Sequence, residues 1–362
     1  MISDSTRLGE VEQFRADTGW SKASLSWLGQ DASTRRYARL RHGNQKAILM
    51  DAPLVEADPC TPDMTPAERE LSGWNAMTRL AASRVEAFVL IANHLRSIGL
   101  RTPDIFAYDT RHGFALIEDF GDGREFARLL ERGLADENVL YTKAAETLAH
   151  LHAQPVPKIL CEGEISWPVL PFDDVALRAN ADLFADWLPQ LDKRMRLSSQ
   201  DRARWDQVLD GLIAQAEAFP REFTLRDYHA ENLLWLPNGQ IALLDFQDAV
   251  LGWDAWDMAM LTQDARRKVS DQATRGAIHA YLNATGKGEA DFHERLAVIG
   301  TLNALRITGV FARLQVRDGK PRYGQFMPRQ QGLLAQNLAH PAAAEMAAFV
   351  REKAPFILEA RP

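Results

Sequence analysis

Much of what would point to other chemistries is missing from this 362-residue chain. It has two cysteines, Cys60 and Cys161, without Cys-x-x-Cys spacing, so neither a thiolate zinc site nor a redox pair is indicated and a reducing compartment is the simplest setting. No Gly-x-x-x-x-Gly-Lys-Ser/Thr run occurs, which argues against a P-loop ATPase, and His293-Glu294 lacks the second histidine of a zinc protease helix. The amino terminus has no basic cap followed by an apolar stretch, and no uninterrupted apolar run approaches the roughly 18 residues of a membrane span. Nor does one charge sign dominate. Against 42 Lys plus Arg stand 49 Asp plus Glu, and the net charge of −7 offers no general attraction for nucleic acid or an anionic membrane. The expectation is a cytoplasmic protein with a small-molecule partner, no nucleic acid and no membrane.

What is present describes an ordinary folded chain, 46% apolar and 25% charged, long enough for two lobes that each bury a core. Leu8, Val11 and Phe14 recur at helical spacing behind Ser5 and Thr6, either of which suits a cap. Tyr37–Leu40 and Ala47–Met50 flank a His42-Gly43-Asn44 turn signal, and Ile105–Tyr108 and Phe114–Ile117 flank a second, so each pair reads as a hairpin. Four prolines make residues 51–66 a loop. Between them, Phe88, Ile91, Ala92 and Leu95 form one helical stripe that ends near Gly99. From Glu118 onward the composition shifts to Ala- and Leu-rich helical repeats. The class is therefore α+β, with a β-rich amino lobe over residues 1–117 and a mainly helical carboxyl lobe over 118–362.

One interruption of the helical lobe carries the chemistry. Leu233–Leu236 and Ile241–Leu244 flank Pro237-Asn238-Gly239, and Asn-Gly between apolar runs signals a type I′ hairpin. If Asn238 and Gly239 are its two loop residues, Asn232 lies directly opposite Asp245, pairing oxygens that suit a hard cation such as Mg²⁺. Asp227 stands upstream in an Asp-x-x-x-x-Asn spacing. That order of acid, amide and acid is the one used by kinase-type phosphotransferases.

Arg226-Asp227-Tyr228-His229-Ala230-Glu231-Asn232, followed by Leu244-Asp245-Phe246, resembles the aminoglycoside phosphotransferase family, a branch of the bilobal protein-kinase-like fold. Leu148-Ala149-His150-Leu151-His152-Ala153 and the run Gly252–Ala259 agree, and the resemblance extends from about Gly29 to Ala344. Within that family the chain is most similar to the anomeric kinases of cell-wall amino sugars, which phosphorylate the C1 hydroxyl of N-acetylmuramate and N-acetylglucosamine in peptidoglycan recycling. The cues are Gly29–Tyr37, Ile48–Pro53, the Leu-Arg-Asp form of the loop, and Gln263-Asp264-Ala265-Arg266.

The resemblance implies ATP and Mg²⁺ as cofactors, Asp227 as the catalytic base, and Asn232 and Asp245 as metal ligands. It implies that the main chain of Glu118 and Phe120 binds adenine and that Ser33 meets the nucleotide phosphates. The sequence departs from the wider pattern at Ala47-Ile48-Leu49-Met50, where protein kinases carry a lysine, and Arg35 or Arg36 is the candidate replacement. Glu86 then lacks its usual lysine partner.

Taken singly, many of these residues have plainer explanations. An isolated Asp227 reads as a turn or cap carboxylate, and His229 reads as structural. Asp257 is expected to brace the catalytic loop, and Trp253 and Trp256 to fill a core. Of Arg306, Arg313, Arg317, Arg322 and Arg329, most belong to a solvated face, with one or two at the acceptor site. Two alternatives stay open: a kinase of another small hydroxyl compound (aminoglycoside, choline or homoserine), and a non-catalytic nucleotide-binding regulator.

Overall fold

The computed structural model of the protein describes residues 4–29, 35–54 and 59–360, whose chain divides into two compact units. The first comprises residues 1–129, 157–169 and 231–249, and the second residues 130–156, 170–230 and 250–362. Compaction thus divides the chain at other points than Ile117. The catalytic-loop sequence leaves the second unit after Ala230, and the Asn-Gly hairpin belongs to the first.

The first unit is built on a five-stranded antiparallel sheet of β1 (Ser24–Trp27), β2 (Arg36–His42), β3 (Gln45–Asp51), β4 (Ile105–Asp109) and β5 (Phe114–Ile117), in the order β1-β2-β3-β5-β4. Both expected hairpins form. His42 pairs with Gln45 across a two-residue turn whose Gly43 has φ 59°, the glycine-first geometry that matches strand twist. One face of the sheet, with Ala38, Leu40, Leu49 and Leu116, buries against Val11 and Phe14 of the helix Asp4–Asp17, and Phe14 stacks on Phe114 at 5.2 Å. That helix begins at Asp4, so Ser5 and Thr6 lie within its first turn rather than before it. The striped helix Val85–Ser97 buries Phe88, Ile91, Ala92 and Leu95, as its spacing requires, and packs on β4. A hairpin of β6 (Ile159–Glu162) and β7 (Ile165–Pro168), which the sequence reading did not identify, packs on the same helix. Its strands are short and largely exposed, so they lack the apolar alternation that marks a strand.

The second unit is helical around the 28-residue helix Glu289–Val316, which packs along Asp174–Leu191. Glu289–Val316 is the one helix among the described residues long and apolar enough to cross a membrane, and 78% of its most apolar stretch is buried inside the protein. Two short strands, β8 (Glu222–Thr224) and β11 (Val250–Gly252), pair antiparallel and bracket the excursion into the first unit. Trp253 and Trp256 are core residues as expected, 0% and 1% exposed. Trp256 meets Phe172 edge-on at 4.8 Å. Cys60 is buried, Cys161 is exposed, and neither forms a disulfide.

Candidate active site

In the first unit, β9 (Leu233–Trp235) and β10 (Ile241–Leu243) form the expected hairpin, but in a different register. Trp235 pairs with Ile241 and Leu236 N donates to Gln240 O, so the loop has three residues, Pro237, Asn238 and Gly239. The two-residue type I′ turn is therefore corrected. Proline at 237 fixes φ near −65°, which suits the first central position of an ordinary β-turn, and Gly239 alone takes the left-handed region, at φ 77°. Asn232 consequently faces Leu244, whose N–H donates to Asn232 O at 2.9 Å, and Asp245 lies one residue beyond that pair. Shifting a register by one residue would send an alternating side chain to the opposite face. At Asp245 a φ of 55° takes the chain out of β conformation directly after Leu244, so strand alternation does not set where its side chain lies. Its Oδ1 accepts from Arg35 Nη2 at 3.0 Å and from Gln247 Nε2 at 2.9 Å.

The remaining nucleotide candidates also lie in the first unit, Ser33 excepted, which falls outside the described residues. Arg36 is held by Asp51: its Nη2 is 2.5 Å from Oδ2, while Arg7 Nη2 is 2.5 Å from Oδ1 of the same fully buried carboxylate. Two guanidinium groups thus share one acid. Glu118 N donates to Asp104 O at 2.8 Å, and the Glu118 carboxylate takes Arg101 and the Asp104 N–H. Phe120 O accepts from Arg124 Nε at 2.8 Å, and the Phe120 ring packs against Leu234, Leu236 and Ala242. Glu86, without a strand lysine, pairs with Arg84 at 2.8 Å.

In the second unit the loop around Asp227 is pinned on both sides. Asp257, wholly buried at the start of helix Asp254–Thr262, accepts the Leu225 and Arg226 N–H groups at 2.7 and 2.9 Å. Those two bonds hold Arg226 at φ 75°, a left-handed conformation that is costly for a non-glycine residue. Trp256 Nε1 donates to Arg226 O at 3.2 Å, and the buried Tyr228 hydroxyl donates to Ala144 O at 2.9 Å. Burial raises the Asp257 pKa to about 7 against the pull of the two N–H donors, and the nearby Asp227 charge adds to the rise. The expected brace is therefore in place, and the strain sits beside the residue it would aim.

Asp227 lines a cavity of about 110 Å³ within the second unit, together with His229, Met260, Asp264, Arg266 and Arg306. Of the five arginines in the basic stretch, Arg306 borders this cavity, Arg329 donates to the Asp264 main chain at 2.8 Å, and Arg317 and Arg322 are exposed. His229, read from sequence as structural, is 7% exposed and approaches Arg266 Nη1 at 3.3 Å in the cavity wall. No spacing rule finds His229 or Asp264 as wall residues, although Gln263-Asp264-Ala265-Arg266 carried part of the resemblance.

Solved structures share this architecture. A choline/ethanolamine kinase family protein from Mesorhizobium loti superposes with a TM-score of 0.55 at 15% identity, covering 94% of this chain and 99% of that one. An ADP-bound aminoglycoside phosphotransferase gives 0.53 at 12% identity, covering 92% and 99%. At such identities the likeness establishes the fold: an α+β, kinase-like architecture with a sheet-containing amino-terminal region and a helical carboxyl-terminal one. Residues 25–293 match the phosphotransferase enzyme family, and the chain belongs to that family. It is 43% identical to the N-acetylmuramate/N-acetylglucosamine kinase of Caulobacter vibrioides over 96% of its own length and 97% of that relative's. The kinase of the same name from Pseudomonas aeruginosa is 31% identical over 86% and 83%.

Proposed function

We propose that this phosphotransferase carries the γ-phosphoryl group of ATP to the anomeric C1 hydroxyl of N-acetylmuramate and N-acetylglucosamine in peptidoglycan recycling, in the cytoplasm. The observation that carries the reading is the 43% identity to the Caulobacter vibrioides kinase, spread over nearly the whole of both chains. The cavity wall supports it. Apart from Asp227, the wall sets two arginines, 266 and 306, against one acid, Asp264. A cationic acceptor such as choline or an aminoglycoside would need the reverse.

On this reading Asp227 orients the attacking hydroxyl and takes its proton, and the pinned loop makes that aim independent of substrate. Asn232 and Asp245 would hold Mg²⁺, whose charge offsets that of the nucleotide phosphates. The donor set fits: amide and carboxylate oxygens are hard ligands, and Gln247, which donates to Asp245, keeps a buried Oε1 with no hydrogen-bond partner among the described residues. Arg35 takes the place of the absent strand lysine on the phosphates, with Arg36, braced by Asp51, as the second candidate and Ser33 as a hydroxyl donor to the phosphates. The main chain at Glu118 and Phe120 binds adenine. In functional terms residues 1–117 cover the nucleotide and residues 118–362 supply catalysis and the acceptor site.

An ADP-release assay with N-acetylglucosamine, N-acetylmuramate and their C1 methyl glycosides tests the proposal. Turnover of both free sugars and none of the glycosides is expected. Equal turnover of a C1-blocked sugar would place the acceptor oxygen elsewhere, and activity restricted to choline or an aminoglycoside would replace the substrate class.

A further inference from the structure

The cavity beside Asp227 holds two polar groups whose bonding is incomplete in opposite senses. The first is Arg306, from the middle of helix Glu289–Val316. Its Nε donates to Asn303 Oδ1 at 3.0 Å, its Nη2 lies 3.7 Å from the thioether sulfur of Met260, and its guanidinium stands 5.4 Å over the Trp256 ring. No carboxylate comes within ion-pairing distance of it among the described residues. Burial lowers the Arg306 pKa to about 10, opposed by the charge of Asp227 and reinforced by Arg226 and Arg266. Desolvating a cation without a counter-ion costs stability, and such a group is retained where something else supplies the anion. The second is Asp264, 5% exposed. Its Oδ1 accepts the Arg266 N–H at 2.8 Å, whereas its Oδ2 is buried with no hydrogen-bond partner among the described residues. Buried acceptors are nearly always satisfied, so this one awaits a donor. Ile307, Val310 and Phe311 supply the apolar part of the wall.

We propose that these two groups form an acceptor subsite in which Arg306 binds a carboxylate carried by the sugar and Asp264 Oδ2 receives one of its N–H or O–H groups. Arg306 is then a specificity-determining residue that favours an acidic amino sugar over its neutral counterpart. The lactyl arm of the acidic sugar carries the carboxylate, and the acetamido arm carries an N–H group of the kind Asp264 Oδ2 lacks. The apolar wall accommodates the methyl group that either arm bears. This inference rests on the amino-sugar reading above and adds to it the residue that tells the two sugars apart.

The test measures kcat/KM for N-acetylmuramate, for the same sugar with its carboxylate converted to a carboxamide, and for N-acetylglucosamine, in wild type, Arg306→Lys and Arg306→Gln. Wild type should prefer the acid to the amide about 10- to 100-fold, the range of a charge-assisted hydrogen bond. Arg306→Gln should bring that ratio close to one, Arg306→Lys should keep part of it, and N-acetylglucosamine should lose far less than N-acetylmuramate. Because the acid-to-amide comparison is made first on wild type, a variant that fails to fold leaves the inference testable. Asp264→Asn should raise KM for both sugars alike, with a smaller effect on kcat. A wild type that treats acid and amide equally overturns the proposal, as does an Arg306→Gln enzyme that loses all three substrates in proportion. A wild type that turns over neither sugar is a different result, and it removes the amino-sugar reading itself.

Discussion

A buried acid in the first unit and the cavity beside Asp227 in the second treat charge in opposite ways. In the first unit the fully buried Asp51 takes both Arg7 and Arg36. In the second, the cavity beside Asp227 leaves Arg306 with no carboxylate at ion-pairing distance and an Asp264 oxygen with no hydrogen-bond donor, among the described residues. Closed pairs hold a fold, whereas open ones cost stability until a ligand completes them. The contrast teaches where to look for the acceptor, and each of the following changes sharpens or breaks it.

Asp227→Asn should have the largest effect, a fall in turnover of about 10² to 10⁴, or roughly 3–5 kcal/mol of barrier, because it removes the proposed proton acceptor while keeping shape. Steady-state ADP formation reads it, and its thermal midpoint should stay near that of wild type. In the first unit the cost should appear as stability instead. Asp51→Ala takes the carboxylate from Arg36, leaves Arg7 only Glu10 and the His112 carbonyl, and should lose about 3–5 kcal/mol in urea unfolding. A loss under about 1 kcal/mol would mean that the pairs there are not what holds the sheet.

His152 gives a pH-dependent version of the same distinction. It is buried beside Tyr281, whose hydroxyl lies 2.9 Å from Nδ1, and burial lowers its pKa from 6.5 to about 4. The unfolded chain therefore binds the proton more readily, so this contribution is complete above pH 6.5 and is lost as pH falls through 4. His152→Asn should flatten the stability profile over that window by up to about 3 kcal/mol, measured by urea unfolding at pH 7 and pH 4.5. Asp257 runs the other way. Its pKa rises from 3.8 to about 7, so its contribution is present below 3.8 and is lost as pH rises through 7. The smallest effect belongs to Gly239→Ala, about 1–2 kcal/mol for an alanine forced to the φ of 77°. A neutral result there would mean that the hairpin loop readily adopts another turn.

How far the sequence disclosed all this depends on the range of each signal. Helical stripes and hairpin turns are local, so Val85–Ser97 and the β2–β3 turn at Gly43 were legible from a dozen residues. The Asp-x-x-x-x-Asn run and its downstream acid were legible for the same reason. The register between them was not, because Pro237 and Gly239 chose a three-residue loop where Asn-Gly alone pointed to two residues. Asp257 was found as a brace, but the left-handed Arg226 it holds was beyond any propensity. Arg306 was one of five arginines of which one or two were expected at the acceptor site, and only the packing of helix Glu289–Val316 shows that Arg306 borders the cavity. The hairpin β6–β7 carries too little apolar alternation to be seen.

The central claim divides labour between two acids: Asp227 acts on the acceptor and Asp245 on the metal and nucleotide. Calorimetric titration of a non-hydrolysable ATP analogue, with and without Mg²⁺, onto Asp227→Asn and Asp245→Ala compares them directly. Asp227→Asn should bind with wild-type affinity and Mg²⁺ dependence, and Asp245→Ala at least about tenfold more weakly with little gain from Mg²⁺. Equal loss in both variants, or full Mg²⁺-dependent binding without Asp245, would contradict that division of labour.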